Sequence, residues 1–331
     1  MSDAAAPRPP AFDDARDYAR ARGVLHDRLF TEPGIAGLIG PRDLSGPHNR
    51  DYPVLMRLTR GGGPLATLLR LFHLGVPVTE EAARASVAPM SLESWLEAGL
   101  VSRDGEAVNG AARLVPFEGL WLASDPPRAG ATGLPADFTV GVGDATKALA
   151  GITIDRPVKT VLDLGTGCGV LALKVADHAD RVVAVDRNPR ALAYARFNAD
   201  LNEKRNIEFR EGDLFEPVRG ERFDLVISNP PFVISPRARY TFRDSGLAGD
   251  GFVQRIVREV PAFLEEGGHC QIMCQWAHLA GQDWKDRLGG WFADSGCDVW
   301  VMHSATQEPS SYAMSWISTT ELVSPAELHQ R

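Results

Sequence analysis

The chain has 331 residues, of which 44% are hydrophobic and 24% charged, a balance that excludes whole-chain disorder and is expected to fill one large or two modest domains. Its 43 acidic and 35 basic residues give a formal charge of −8, which disfavours general binding to a phosphate backbone. No apolar run approaches the ~18–20 residues of a membrane span. The opening MSDAAAPRPPAFDDAR lacks the apolar centre of a signal peptide, and Cys168, Cys270, Cys274 and Cys297 are too scattered for a disulfide framework. A cytoplasmic protein with reduced thiols and no membrane contact is expected.

The segment SDPPRAGATGLPAD (124–137) is rich in Pro and Gly and separates two patterned regions. The boundary is placed there, with one domain over residues 1–130 and a second over 137–331. Up to residue 135 the basic residues are all arginine, 14 against 16 acids, so the first region is not a basic module. PLATLLRLFHLG (64–75) predicts a helix ending at Gly75, TEEAARASV (79–87) a helix capped by Thr79, and SLESWLEAGL (91–100) a third. Followed by LVSRDGEAVNGAARLVPFEGLWLAS, read as strand, turn and strand, they resemble a winged helix. The third helix carries Glu93, Trp95 and Glu97 and no Lys or Arg, which favours a protein-contacting or structural role over insertion in DNA.

The second region alternates strands and helices. VKTVLDLG, RVVAVD, IEFREGD and FDLVISNPP read as strands, GVLALKVADHA and ALAYARFNADLN as the helices between. That alternation predicts a parallel, doubly wound α/β sheet, with a ligand beyond the strand C-termini at the switch in strand order.

The first of these strands runs into Gly165, Gly167 and Gly169, so backbone amides and a helix start open toward a ligand. A dinucleotide fingerprint wants its third glycine where Val170 stands, which argues against NAD. Asp186 ends the next strand 21 residues after Gly165, placed to accept both hydroxyls of a ribose, and Asp213 ends the third, placed to accept from an exocyclic amine. Acids at strand ends also cap the element that follows, and each taken alone leaves that alternative open.

VLDLGTGCGVLAL, VVAVDRNPRALAYARFNADLN, REGDLF and FDLVISNPPFV together resemble the successive motifs of a class I S-adenosylmethionine-dependent methyltransferase over roughly 137–321. The resemblance implies a Rossmann-like sheet with its last strand antiparallel and S-adenosyl-L-methionine as cofactor. It further implies that Asp163 lies near the donor's amino group, that Gly165, Gly167 and Gly169 pack on the donor, that Asp186 takes the ribose, and that Asp213, with Leu214 beside it, takes the adenine. Upstream, FTVGVGDATKALA (138–150) is similar to the segment preceding the first motif, which would bring Thr146 and Asp144 to the donor's methionine end.

Asn229-Pro230-Pro231-Phe232 closes the fourth strand. Two prolines remove backbone donors, so an Asn side-chain oxygen and the Pro230 carbonyl can accept both hydrogens of a planar NH2 group while Phe232 stacks on it. These residues are the catalytic candidates, with Pro231 on the substrate side. In the resembled family this motif marks enzymes acting on planar nitrogen, and SNPPFVISP with a preceding domain looks most like the release-factor glutamine and ribosomal-RNA group. The N-terminal region matches neither partner domain of that group.

Beyond the motif, Arg237, Arg239, Tyr240 and Arg243 are expected as a basic-aromatic rim at the pocket mouth, or as arginines paired to nearby acids. Cys270 and Cys274, in GGHCQIMCQW, read as buried thiols of a fifth strand rather than metal ligands, and no metal is expected. VWVMHSA and YAMSWIST read as the last two strands. The expected activity is methyl transfer to a planar nitrogen of a protein or RNA, protein being favoured by the acidic balance. A small-molecule methyltransferase whose first domain caps the pocket, and a winged-helix regulator that only binds the donor, are the rivals. An oligomer is left open.

Overall fold

The computed structural model describes residues 7–42, 52–126, 134–234, 240–244, 247 and 249–320. In chain order the first elements are α1 (Ala15–Asp27), α2 (Glu32–Ile39), α3 (Tyr52–Leu58) and α4 (Pro64–Leu69), which continues as a π-helical turn, Arg70–Leu74. That turn closes at Gly75 with φ +63°, a left-handed end that suits glycine. Strand β1 (Val78–Thr79) leads into α5 (Glu80–Val87), which starts where the Thr79 hydroxyl accepts from the Ala82 N–H at 3.3 Å. Ser91 caps α6 (Leu92–Glu97) in the same way through Ser94 N–H, 3.1 Å. The three helices thus stand where the sequence places them.

The region after them holds two hairpins rather than one: β2 (Val101–Asp104) with β3 (Ala107–Gly110), then β4 (Arg113–Phe117) with β5 (Leu120–Ser124). β1 pairs antiparallel with β3, giving the order β1-β3-β2. On α6, Trp95 is fully buried against Phe72, ring centroids 5.8 Å apart, while Glu93 bonds Arg84 (2.7 Å) and Arg103 (3.1 Å).

The second region follows as α7 (Asp144–Ile152), β6 (Val158–Leu164), α8 (Val170–Val175), β7 (Ala179–Asp186), α9 (Pro189–Leu201), β8 (Ile207–Glu211), β9 (Phe223–Ser228), α10 (Gly251–Glu259), β10 (Leu264–Ile272), α11 (Trp284–Phe292) and α12 (Pro309–Thr320). Five of these strands form one parallel sheet in the order β10-β9-β6-β7-β8. Strands covered on both faces need continuous apolar runs, and Val161, Leu162 and Leu164 with Val182 to Val185 are at most 1% exposed. Each Val or Leu side chain among them contributes roughly 1.5–3 kcal/mol by leaving water. In register, Leu164 lies opposite Val185 and Ser228, and Asp186 opposite Glu211, so four strands finish along one line. The chain leaves β6 on one side for β7 and later returns on the other as β9, and the crevice at that switch is where the loops converge.

The antiparallel last strand is not met among the described residues. Residues 299–305 (VWVMHSA) lie outside regular secondary structure, and YAMSWIST falls in α12. The helix has local causes: Pro309 suits a first turn, and the Glu308 carboxylate accepts from the N–H groups of Ser310 (3.0 Å) and Ser311 (3.1 Å). No helix among the described residues is long and apolar enough to cross a membrane.

The two regions share one core. The cluster that contains Leu25, Phe72, Trp95 and Leu122 continues through Cys168, Val170, Leu173, Tyr194 and Phe197, so the first region packs directly on α8 and α9. Phe12 joins the two sides, 6.5 Å from Trp95 and 6.1 Å from Phe197.

Candidate active site

The loops at the strand ends enclose a cavity of about 450 Å³. Gly165, Gly167, Asp186, Asp213, Leu214, Thr146, Asn229, Pro230, Pro231, Phe232 and Arg243 all line it, joining residues far apart in sequence.

The loop after β6 is held from below. Gly165 and Thr166 donate backbone N–H to Val185 O at 2.8 and 2.9 Å. Gly165, Gly167 and Gly169 have φ of +74°, +57° and +88°, values that non-glycine residues rarely adopt. A Cβ on Gly165 or Gly167 would meet no protein atom within 4 Å, so those positions face open cavity. Gly169 differs: it lies outside the lining, and a Cβ there would stand 2.8 Å from Leu173 Cδ1 and 3.1 Å from Ala195 Cβ. Its role is close packing of α8 on α9.

Asp163 also lies outside the lining. It is buried under the loop, where Oδ2 accepts from Thr166 Oγ1 (2.7 Å) and from Ala172 N–H (3.0 Å), while Oδ1 is buried without a partner. Burial pushes this carboxyl up to about 7, against the opposing pull of those two hydrogen bonds. The folded state then keeps a proton that the unfolded chain releases near pH 4, so stability falls as pH rises from about 4 to about 7. Asp163→Asn is expected to flatten the melting temperature across that window, because the amide fills the Oδ1 position with no charge to desolvate. A thermal melt at pH 5 and at pH 7.5 checks this; an unchanged slope in the variant contradicts it.

Asp186 ends β7 with each oxygen holding one backbone N–H, Gly167 on Oδ2 and Asn188 on Oδ1, both 2.8 Å. Each oxygen keeps a further lone pair for an external hydroxyl. Burial raises its pKa, and these two bonds oppose the rise. Asn188, a further residue of the site, lines the cavity, caps α9 through Arg190 N–H (3.0 Å) and donates to Asp137 O (2.8 Å). The Asn-Pro pair at the helix start was the readable signal. Asp213 faces the cavity but also pairs with Arg255 at 3.1 Å, and Leu214 beside it has φ +46°.

At the other end, Asn229 Nδ2 donates to Thr146 Oγ1 at 2.9 Å, and Asn229 Oδ1 is buried with no partner. Thr146, expected at the donor's methionine end, is therefore the group that holds the Asn229 amide. Phe232 packs toward Val253, Val257, Leu288 and Trp291, so it joins the core as well as the lining. Tyr312 of α12 accepts from Ile234 N–H (3.0 Å) and donates to Gln275 (2.6 Å), and Trp316 of the same helix reaches the cavity. The sequence places Tyr312 in TQEPSSY, a connection that could border the substrate, whereas Trp316 was not expected there because its segment reads as a strand.

Of the four residues expected either at a basic-aromatic rim or as arginines paired to nearby acids, Tyr240 departs from the rim and Arg243 follows the second alternative. Tyr240 is 1% exposed and outside the lining, stacked on Phe242 with centroids 5.5 Å apart. Arg243 faces the cavity but is 5% exposed, its Nε donating to Asp244 Oδ1 at 2.7 Å and its Nη2 to Oδ2 at 3.1 Å. A guanidinium this buried needs its carboxylate, which leaves a wall rather than an open anion rim. Arg237 and Arg239 lie outside the described residues. Among the described residues no cluster of three His, Cys, Asp or Glu is placed to hold a metal ion. β10 ends before Cys274; burial pushes the thiols of Cys270 and Cys274 up to about 12 and about 11.

Residues 138–288 match the family described as methyltransferase small domain. Residues 28–111 match one described as a domain of unknown function (DUF7059). The release factor glutamine methyltransferase of Xylella fastidiosa is 38% identical over 130 residues, 36% of this chain and 47% of that protein. That of Geobacter sulfurreducens is 40% identical over 126 residues, 34% and 44% of the two chains. The ribosomal protein uL3 glutamine methyltransferase of Bradyrhizobium diazoefficiens is 38% identical over 142 residues, 37% and 44%. The matched part of the chain spans about half the length of these relatives. Residues 138–288 are a class I S-adenosylmethionine-dependent methyltransferase domain resembling the release factor glutamine methyltransferases, with S-adenosyl-L-methionine as its cofactor. The groups present fit that cofactor: glycines with open space above them, a carboxylate with a lone pair left on each oxygen and an unpartnered buried oxygen share one cavity.

Proposed function

We propose that the chain methylates a planar nitrogen, the side-chain amide of a glutamine in a cytoplasmic protein acceptor, at the cavity mouth beside Asn229. The observation that carries this reading is the Asn229 amide, tied by its NH2 to Thr146 so that a buried oxygen without a partner is left for the acceptor. A buried acceptor oxygen is costly unless something donates to it, and the NH2 of an amide does so. Asn229 Oδ1 and the Pro230 carbonyl would take one N–H each, and Phe232 would lie along the flat group. When bound, the cofactor supplies an electrophilic methyl group. The protein's share of an in-line displacement is then to orient the nucleophile and keep water out.

In the same reading Gly165, Gly167, Asp186, Asp213 and Leu214 hold the cofactor, while Asp163 and Gly169 support the loop from outside the cavity. Asp186→Ala is expected to weaken cofactor affinity about 10- to 100-fold, since it removes both ribose acceptors and the bond to the Gly167 N–H. Calorimetric titration with S-adenosylhomocysteine measures this, and an unchanged affinity would remove Asp186 from the assignment.

Residues 1–130 would form a winged-helix-like domain. Its support is the order helix, β1, two helices and two strands with the sheet order β1-β3-β2. A protein-facing role accords with the charge of −8 and with α6, whose Glu93 already engages Arg84 and Arg103. Cofactor labelled at the methyl group, incubated with cell extract and chain, tests the acceptor class. Label in the protein fraction on a glutamine supports the reading, whereas label confined to RNA or to small molecules overturns it.

A further inference from the structure

Asn198 of α9 and Asn202, four residues on at that helix's C-cap, hydrogen-bond β5 as a neighbouring strand would. Asn202 Oδ1 accepts from Trp121 N–H at 2.9 Å and its Nδ2 donates to Trp121 O at 2.7 Å. Asn198 repeats the pattern two strand residues on, accepting from Ala123 N–H (2.7 Å) and donating to Ala123 O (2.9 Å). The match follows from two periods: four residues of helix rise about 6 Å and two residues of strand about 6.6 Å.

The remaining hydrogen of each amide goes to a different place. That of Asn202 stays on its own helix, donating to Asn198 O at 2.7 Å. That of Asn198 crosses to Cys168 O at 2.8 Å, in the glycine loop between Gly167 and Gly169. Asn198 is 0% exposed, so one buried amide joins a strand of the first region to the loop that faces the cofactor. Leu122 and Ala123 of β5 also share a core cluster with Cys168, Val170 and Leu173.

We infer that Asn198 is a positioning residue through which the β4–β5 hairpin fixes the glycine loop, so that cofactor affinity depends on residues outside the methyltransferase domain. The inference rests on the cofactor assignment of that domain. The loop runs through three left-handed residues, and the Cys168 carbonyl sits between the second and third of them, where a lost partner frees the loop to turn.

Asn198→Leu and Asn202→Leu in the full chain separate this from plain structural support, because each removes both bonds to one residue of β5 and only the first removes the bond to the loop. Both are expected to lower the melting temperature by a few degrees. Titrated with S-adenosylhomocysteine well below melting, Asn198→Leu is expected to bind about tenfold more weakly and Asn202→Leu within twofold of the unaltered chain. Equal losses in the two variants, or no loss in Asn198→Leu, would make Asn198 merely structural and overturn the inference. Should Asn198→Leu fail to fold, hydrogen exchange on the unaltered chain decides. Adding S-adenosylhomocysteine slows exchange of the Ala123 amide if the inference holds, and leaves it unchanged if it does not. An unaltered chain that binds no S-adenosylhomocysteine would overturn the cofactor assignment and this inference with it.

Discussion

Replacing Asn229 by alanine is expected to lower methyl transfer at least about 100-fold while leaving the affinity for S-adenosylhomocysteine within about twofold. The size follows from geometry: an acceptor nitrogen free to move by about 1 Å costs on the order of 10²-fold in an oriented reaction. The substitution removes Oδ1, the buried oxygen without a partner, and releases Thr146 Oγ1 from its bond at 2.9 Å. Asn229 follows β9 and Asp186 ends β7, on opposite sides of β6, so cofactor binding has its own residues and should survive. Single-turnover transfer separates the two quantities. Wild-type transfer by the variant would remove Asn229 from the site, and a parallel loss of cofactor affinity would move it to the cofactor's side.

Asp125→Ala is expected to destabilise the fold by about 3–5 kcal/mol, the cost of leaving a buried cation without its partner. Asp125 is 5% exposed and accepts from Thr139 N–H (2.8 Å), Tyr194 Oη (3.0 Å) and the Arg190 guanidinium, whose Nε lies at 2.8 Å. The Arg190 side chain is 10% exposed, and its other hydrogen-bond partner is the neutral Pro7 carbonyl, so among the described residues no second carboxylate stands in for Asp125. The pairing also raises the Arg190 pKa, Asp125 being its largest cause. Because Thr139 and Phe138 line the cavity, this network fastens the cavity wall to α9. Chemical denaturation measures the loss; Asp125→Asn, which keeps the shape and an acceptor, should lose less. A change below about 1 kcal/mol for alanine would show that Arg190 finds solvent or another partner.

These two residues mark what the sequence could and could not convey. Thr79, Ser91 and Gly75 are local signals, each bonding within four residues or setting a single φ, and each stands as read. The glycine loop, Asp186 and the Asn-Pro-Pro-Phe turn are also legible, since each follows a continuous apolar strand and strand ends converge in a parallel sheet. Asp125 was not legible. It sits in a Pro- and Gly-rich stretch that reads as linker, and its partners Arg190 and Tyr194 lie 65 and 69 residues away. Asn198 and Asn202 look like ordinary polar positions of a helix until β5 is placed beside them. Tyr240 and Arg243 misled for the opposite reason: polar tips next to a site suggest exposure, but Asp244 and Phe242 draw both inward. At residues 299–305 an apolar run suggested a strand, yet Trp300 is 93% exposed and the regular element begins only at Pro309.

The cofactor's sulfur should lie within reach of the Asn229 amide oxygen, with the ribose on Asp186. A crystal structure of the full chain with S-adenosylhomocysteine tests it most directly. The ligand is expected in the 450 Å³ cavity, its hydroxyls on Asp186 and its sulfur turned toward Asn229 Oδ1, with Thr146 still bonded to Nδ2. Density for the nucleoside elsewhere, or an Asn229 oxygen already taken by neighbouring backbone, would contradict it.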